Sequence, residues 1–127
     1  MIYGIGTDII DIRRIKRVID IYGVRFKKKC FHEEEIEVSE KRYKSAESYA
    51  KRYAAKEACA KALGTGLARG VFWKDIEIKN NNFGKPFIIL HNNAKKYLDC
   101  NISKSANIEL SISDEVNFAL ANVIIFK

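Results

Sequence analysis

The chain has 127 residues, about one ordinary domain, so a single domain over 1–127 with a modest core is expected. Hydrophobic residues make up 47% and charged residues 31%, which excludes a disordered chain, and no stretch approaches the roughly 20 apolar residues of a membrane span. The 23 Lys and Arg against 16 Asp and Glu leave a formal charge of +7, which favours an anionic partner or serves solubility alone.

The opening MIYGIGTDII alternates apolar side chains with glycine over residues 2 to 6, a short strand pattern. It has no basic leader region and meets Asp8 before a long apolar run develops, so a cytoplasmic protein is expected. TDIIDIRRIKRVIDIYG then changes to helical spacing: Ile12, Ile15, Val18, Ile19 and Tyr22 share one side, and Arg13, Arg14, Lys16 and Arg17 the other. Gly23 stops this first helix. RFKKKCFHEEEIEVSEKRYK follows as a basic, then acidic segment with a short helix. The next helix is predicted over Ser45 to Leu63, with Ser45 as a candidate N-cap, Glu47 in the first turn and Gly64 at the stop. DIEI and PFIIL read as a hairpin joined through KNNNFGK. A brief helix over NAKKYLD leads to a second hairpin, ANIELSIS, DEVN and FALANVIIF. The fold class expected is α+β, a mostly antiparallel sheet packed with two main helices. Cys30, Cys59 and Cys100 are widely separated and read as reduced thiols.

Within the long helix, Lys61 lies about 40° around the axis from Glu57 at roughly 100° per residue, so the two share a face. The pair is either a solvated i,i+4 pair or part of a site. Ala50, Ala54 and Ala60, with Tyr53, suggest a face of small side chains, the floor of a site that something bulky approaches. Gly64-Thr65-Gly66 supplies either amide donors for a phosphate or an ordinary helix C-cap. Asp8 is the candidate second carboxylate at a strand-to-helix corner; capping the first helix is the alternative. Two carboxylates and a lysine suit Mg²⁺ bridging phosphates, because that ion takes one or two protein carboxylates and fills its octahedron with phosphate oxygens and water.

GIGTDIIDIRRI at 4 to 15, RYAAKEACAKALGTG at 52 to 66, DIEI followed by GKP at 84 to 86, and SISDE near the end closely resemble, in this order and spacing, the holo-acyl-carrier-protein synthases of the 4′-phosphopantetheinyl transferase family. The resemblance covers nearly the whole chain. It implies transfer of 4′-phosphopantetheine from coenzyme A to a serine of an acyl carrier protein, with release of adenosine 3′,5′-bisphosphate, in fatty acid biosynthesis. By resemblance, Asp8 and Glu57 hold Mg²⁺, and Lys61 contacts the transferred phosphate or neutralises the leaving group. Glu57 or a water that it steers accepts the serine proton. Arg52 holds a coenzyme A phosphate, and Gly64, Thr65, Gly66 and the Gly84-Lys85-Pro86 turn border the nucleotide. Arg52 as a surface charge and the turn as a hairpin element are the alternatives. Where many relatives have Ser-His, this chain has Ser113-Asp114, so a role given to that histidine cannot pass to a carboxylate.

The same resemblance implies a homotrimer with sites between neighbouring subunits; the apolar last strand fits either a buried interface or a monomer core. Arg13, Arg14 and Arg17, with Arg25 and the lysines at 27 to 29, form a basic face expected to dock the acidic carrier protein, with coenzyme A bound elsewhere. The rival reading is a small basic nucleic-acid-binding module using the first helix and RFKKK. It lacks a base-reading motif or an aromatic stacking run and leaves Asp8, Glu57 and Lys61 unexplained, so neither a nucleic acid nor a membrane is expected as a partner.

Overall fold

A computed structural model describes all 127 residues. Strand β1 (Ile2–Asp11) is longer than the five-residue pattern suggested and takes in TDIID, which the sequence assigned to the first helix. The run Ile9-Ile10-Asp11-Ile12 satisfies either period. Pairing with the last strand decides it, extending from Ile2↔Phe126 to Asp11↔Phe118. Helix α1 (Ile12–Tyr22) therefore starts later, and Asp11, not Asp8, is its N-cap: the Asp11 carboxylate accepts the Arg13 amide at 2.9 Å.

Helix α1 buries Ile15, half-buries Ile12, Val18 and Ile19, and exposes Arg13, Arg14, Lys16 and Arg17, as its spacing predicts. Tyr22, on the expected apolar stripe, is instead exposed, because the helix ends there and Gly23 turns the chain with φ +52°. The charge-rich segment forms two short helices instead of one, α2 (Val24–Cys30) and α3 (Glu33–Glu40), separated by extended Phe31 and His32. Phe31 is buried edge-on against Tyr49, with ring centroids 5.1 Å apart.

Helix α4 (Ser45–Leu63) has the predicted limits, but Lys44 is its N-cap and no side chain caps it. Twelve of its 19 residues are buried, which makes it the central helix. After a 3₁₀ turn (Trp73–Asp75) come strands β2 (Ile76–Asn80) and β3 (Pro86–Leu90) as a hairpin. Helix α5 (Asn92–Tyr97) runs into a wider turn over Leu98–Ile102, and β4 (Asn107–Glu115) and β5 (Phe118–Phe126) form the second hairpin. The α+β class holds, with every strand pair antiparallel, but the strands divide into β1-β5-β4 and β2-β3.

The larger sheet lays Ile10, Leu110, Ala119, Ala121, Val123 and Ile125 into the core with α4. Two glycines set the depth of this contact. A Cβ on Gly6 would lie 1.8 Å from the Ala58 carbonyl oxygen, and one on Gly4 2.0 Å from that of Ala62. No side chain fits there, so β1 runs flush along the helix backbone.

A buried ion pair joins α3 to α4. Lys56 Nζ lies 2.8 Å from Glu35 Oε1 and also donates to the carbonyls of Trp73 (3.0 Å) and Ile76 (2.6 Å). Glu35 in turn accepts the amides of His32 and Ile78. Burial pushes the Lys56 pKa down, opposed by Glu35. This saturated network fixes the turn of α4 on which Glu57 stands.

Candidate active site

Asp8 stands in the middle of β1, away from the strand-to-helix corner, on the same strand face as Gly6 and Ile10 and therefore toward α4. The close approach set by the glycines brings it to the Glu57 and Lys61 face. Lys61 Nζ lies 3.1 Å from Asp8 Oδ1 and 2.9 Å from the Thr7 carbonyl oxygen. Glu57 is half-buried, and its pKa is raised by burial first and by the Asp8 charge second; the Tyr53 hydroxyl, Lys61 and the Trp73 indole oppose the shift. Tyr53 is pushed up to about 12, by burial and then by Glu57, and it stacks on Trp73 with ring centroids 6.2 Å apart. The buried Trp73 indole nitrogen makes no formed hydrogen bond.

Two carboxylates are thus held near each other, one partly desolvated, with one lysine bonded to Asp8. This donor set fits a hard divalent cation, which would relieve the repulsion that raises Glu57. The alanines serve a different purpose from the one the sequence suggested. Ala50, Ala54 and Ala60 are fully buried in the core, so small side chains on α4 accommodate the packed sheet and not a ligand.

Arg52 lies five residues before Glu57, about 7.5 Å along the axis and roughly 140° around it. It is buried. Its guanidinium donates to Ser48 Oγ at 3.0 Å and Asn80 Oδ1 at 3.2 Å, and its Nε has no partner. Burial lowers its pKa. The surface-charge alternative therefore fails. Arg52, Gly84 and Pro86 line a cavity of about 340 Å³ together with Arg42, Tyr43, Lys44, Lys51 and Asn80, which sequence reasoning did not single out. The concentration of basic residues in KRYK and AKR around the start of α4 is the signal that could have found them. Neutral groups hold Arg52 among further cations, with Glu47, beside Lys51, as the one carboxylate on the lining, and the net positive charge suits a phosphate.

Asp114 lies 3.1 Å from Lys51, itself 3.6 Å from Glu47. The Lys51 ammonium holds the Asp114 carboxyl below its ordinary value.

At the Gly64-Thr65-Gly66 turn the bonded glycine amides follow the C-cap alternative. Gly64 is left-handed with φ +86°, its amide donates to the Lys61 carbonyl, and the Gly66 amide donates to that of Ala60. Both amides are thus spent on capping α4, and the Thr65 hydroxyl on the Gly66 carbonyl at 2.7 Å. Gly66 and Thr65 are not among the residues around the Arg52 cavity. The Gly84 amide is bonded to Asn81, and Lys85 reaches Glu109 at 2.8 Å, outside the cavity.

On α1, Arg13 is tied to Asp11 at 2.7 Å and lies over the Phe118 ring. Arg14 and Arg17 are exposed without an ion pair, and the Arg14 charge reaches Tyr53, beside Glu57. Arg25 lines a separate groove with Val18, Tyr22, Phe26 and Lys29. Helix α1 packs on α4, and Arg14 is the member of its basic face whose charge is felt at Tyr53.

The family model of the 4′-phosphopantetheinyl transferase superfamily matches residues 4–121. A holo-[acyl-carrier-protein] synthase of Agrobacterium fabrum is 51% identical over 98% of this chain and 95% of its own length. The crystal structure of a holo-[acyl-carrier-protein] synthase from Neisseria meningitidis superposes with a TM-score of 0.89 at 39% identity, covering both chains completely. One from Bacillus anthracis, in complex with coenzyme A (3′,5′-ADP), gives 0.82 at 36% identity over 100% of this chain and 98% of its own. With the match spanning sequence and fold alike, this chain belongs to the 4′-phosphopantetheinyl transferase superfamily, a family of enzymes.

Proposed function

We propose that the chain transfers 4′-phosphopantetheine from coenzyme A to a serine of an acyl carrier protein, in a reaction that needs Mg²⁺. The observation that carries this reading is the convergence of Asp8, Glu57 and Lys61. The serine oxygen attacks the β-phosphorus of the coenzyme A pyrophosphate, and the bond from that phosphorus to the bridging oxygen breaks. Adenosine 3′,5′-bisphosphate leaves. Asp8 and Glu57 would hold Mg²⁺, which when bound neutralises charge on the phosphates. Lys61, anchored by Asp8 and the Thr7 carbonyl, presents its ammonium to the phosphoryl oxygens as charge develops. Glu57, whose pKa is already raised, or a water that it orients, takes the serine proton.

The Arg52 cavity would hold a phosphate of the nucleotide, with the unpartnered Nε as a spare donor. Arg52 and Lys61 are nine residues apart, about 180° around α4 and roughly 13.5 Å along it. One chain therefore presents its catalytic face and its phosphate cavity to opposite sides. Two chains side by side remove the difficulty, one giving Asp8, Glu57 and Lys61 and the next giving Arg52, Gly84 and Pro86. This geometry supports a homotrimer with shared sites. The outward face of the larger sheet supports it too, because Ile5 and Ile9 are 66% and 65% exposed in a single chain. The basic face of α1, with Arg14 and Arg17, would dock the acidic carrier.

The reading further takes residues 1–127 as one domain acting in the cytoplasm. Its test is the incubation of the purified protein with coenzyme A, Mg²⁺ and an apo carrier protein. A phosphopantetheine mass should appear on the carrier serine, with equimolar adenosine 3′,5′-bisphosphate. No mass gain with a carrier that another transferase modifies would overturn it.

A further inference from the structure

The chain has 2 histidines, and the fold brings both to one place away from the proposed reaction. His32 caps the start of α3 and His91 follows β3, yet their rings lie 4.8 Å apart between centroids. Beside them is Glu77 of β2, a buried carboxylate whose Oε1 lies 2.8 Å from His91 Nε2. One ligand atom from each of the three residues lies within 4.8 Å of the other two.

We infer that His32, Glu77 and His91 form a binding site for a divalent transition metal of the Zn²⁺ class. Imidazole and carboxylate are the ligands that Zn²⁺ takes, and two histidines with one carboxylate leave a fourth position for water. At metal–ligand distances of about 2.0–2.1 Å, tetrahedral donors stand about 3.3 Å apart, so the three groups close by an ångström or so on binding. Side-chain rotation supplies that, since both histidines are partly exposed.

The orienting contacts of such a site are present. His32 Nε2 is bonded to the Lys74 carbonyl, which can only accept, so in the neutral ring Nε2 carries the proton and Nδ1 keeps its lone pair. At His91 a cation would replace the proton between Nε2 and Glu77, and the neutral ring would carry its proton on Nδ1. Open space adjoins the cluster: His32 and Glu77, with Glu33, Glu34, Lys74 and Lys79, line a cavity of about 470 Å³. A bound ion would staple the entry of α3 to the β2-β3 hairpin, whose Asn80 holds Arg52.

The test uses untagged, ¹⁵N-labelled protein titrated with Zn²⁺ at neutral pH, followed through the imidazole nitrogens. Because the chain has only these 2 histidines, every such signal reports this cluster, and occupancy of the Asp8 and Glu57 site, which holds no imidazole, does not enter. Both rings should shift together and saturate at one equivalent. By calorimetry, His32→Ala and His91→Ala should each weaken Zn²⁺ binding by a factor of ten or more, and Glu77→Gln likewise. Ring nitrogens that stay at their metal-free positions at one equivalent would overturn the inference. So would variants that bind Zn²⁺ as tightly as the wild type.

Discussion

Glu57 is the residue at which function and stability pull apart. Its pKa is raised in the folded chain by burial and by Asp8, relative to an unfolded value of about 4.3. The folded state therefore holds the proton more readily than the unfolded one, so stability falls as pH rises through the interval between the two values. Above that interval the ionised group costs stability. Glu57→Gln should accordingly raise the Tm of metal-free protein at pH 7 and flatten its acid-side pH dependence, read by calorimetry. The same variant, and Asp8→Asn, should lose at least about 100-fold in transfer rate, since each removes a ligand charge from the proposed Mg²⁺ site. Near-normal rates for both across a Mg²⁺ titration would remove the metal assignment. Arg52 makes a separate prediction, because its guanidinium has no acidic partner to leave behind. Arg52→Ala should raise KM for coenzyme A roughly tenfold or more, the scale of a lost charge-assisted hydrogen bond, with kcat much less changed.

At the scale of elements, the decisive contact is β1 on α4. The Ala58 carbonyl oxygen sits where the Cβ of any other residue at position 6 would be, 1.8 Å away, and a helix backbone cannot yield locally. Gly6→Ala should cost about 1–3 kcal/mol or more in a denaturant melt, and it should lower activity even where folding persists, because Asp8 moves with the strand. An unchanged midpoint would show that the strand is free to lift off the helix. Helix α1 carries the other prediction of this scale. Arg14 is exposed beside the carboxylate site, whereas Arg13 is engaged by Asp11. Arg14→Glu should weaken carrier binding and leave coenzyme A binding intact, and wild-type carrier binding should weaken with salt as the Debye length falls from about 8 Å at 0.15 M to about 3 Å at 1 M. Equal carrier affinity in the two proteins would discard the docking face.

For the whole molecule the question is assembly. The inner residues of β5, Ala119, Ala121, Val123 and Ile125, fill the core of a single chain, whereas Phe118 on the alternate face is 43% exposed. One face of the last strand thus serves the core of a single chain, and the other, with Phe118, is where a neighbouring subunit would sit. Light scattering of the wild type should give three times the mass of one chain. Ile5→Lys with Ile9→Lys should give monomers that keep the fold by circular dichroism but lose transfer, since the phosphate cavity and the carboxylate site then no longer meet. A monomeric mass in an active wild-type preparation would overturn shared sites.

What was legible in the sequence was local or periodic. The end of α4 follows from its Gly64 stop, the first hairpin from its Asn- and Gly-bearing turn, and the second from the alternation of ANIELSIS. The resemblance carried by GIGTDIIDIRRI and RYAAKEACAKALGTG identified the family and pointed to Asp8, Glu57 and Lys61. Partners far apart in the chain had no such signal. The end of β1 depended on a ladder with residues more than a hundred positions away, and the Glu35–Lys56 pair joins two charges that each look like surface residues. The spacing of alanines along α4 revealed small side chains but not that a strand lies on them, and the sequence left open whether the Gly64 and Gly66 amides cap α4, as they do. His32, Glu77 and His91 met only when α3 was folded onto the hairpin. Period and propensity act within one element and are written in neighbouring residues. Which faces meet, and which donors are left free afterwards, follows from packing the elements together, and that is decided only in three dimensions.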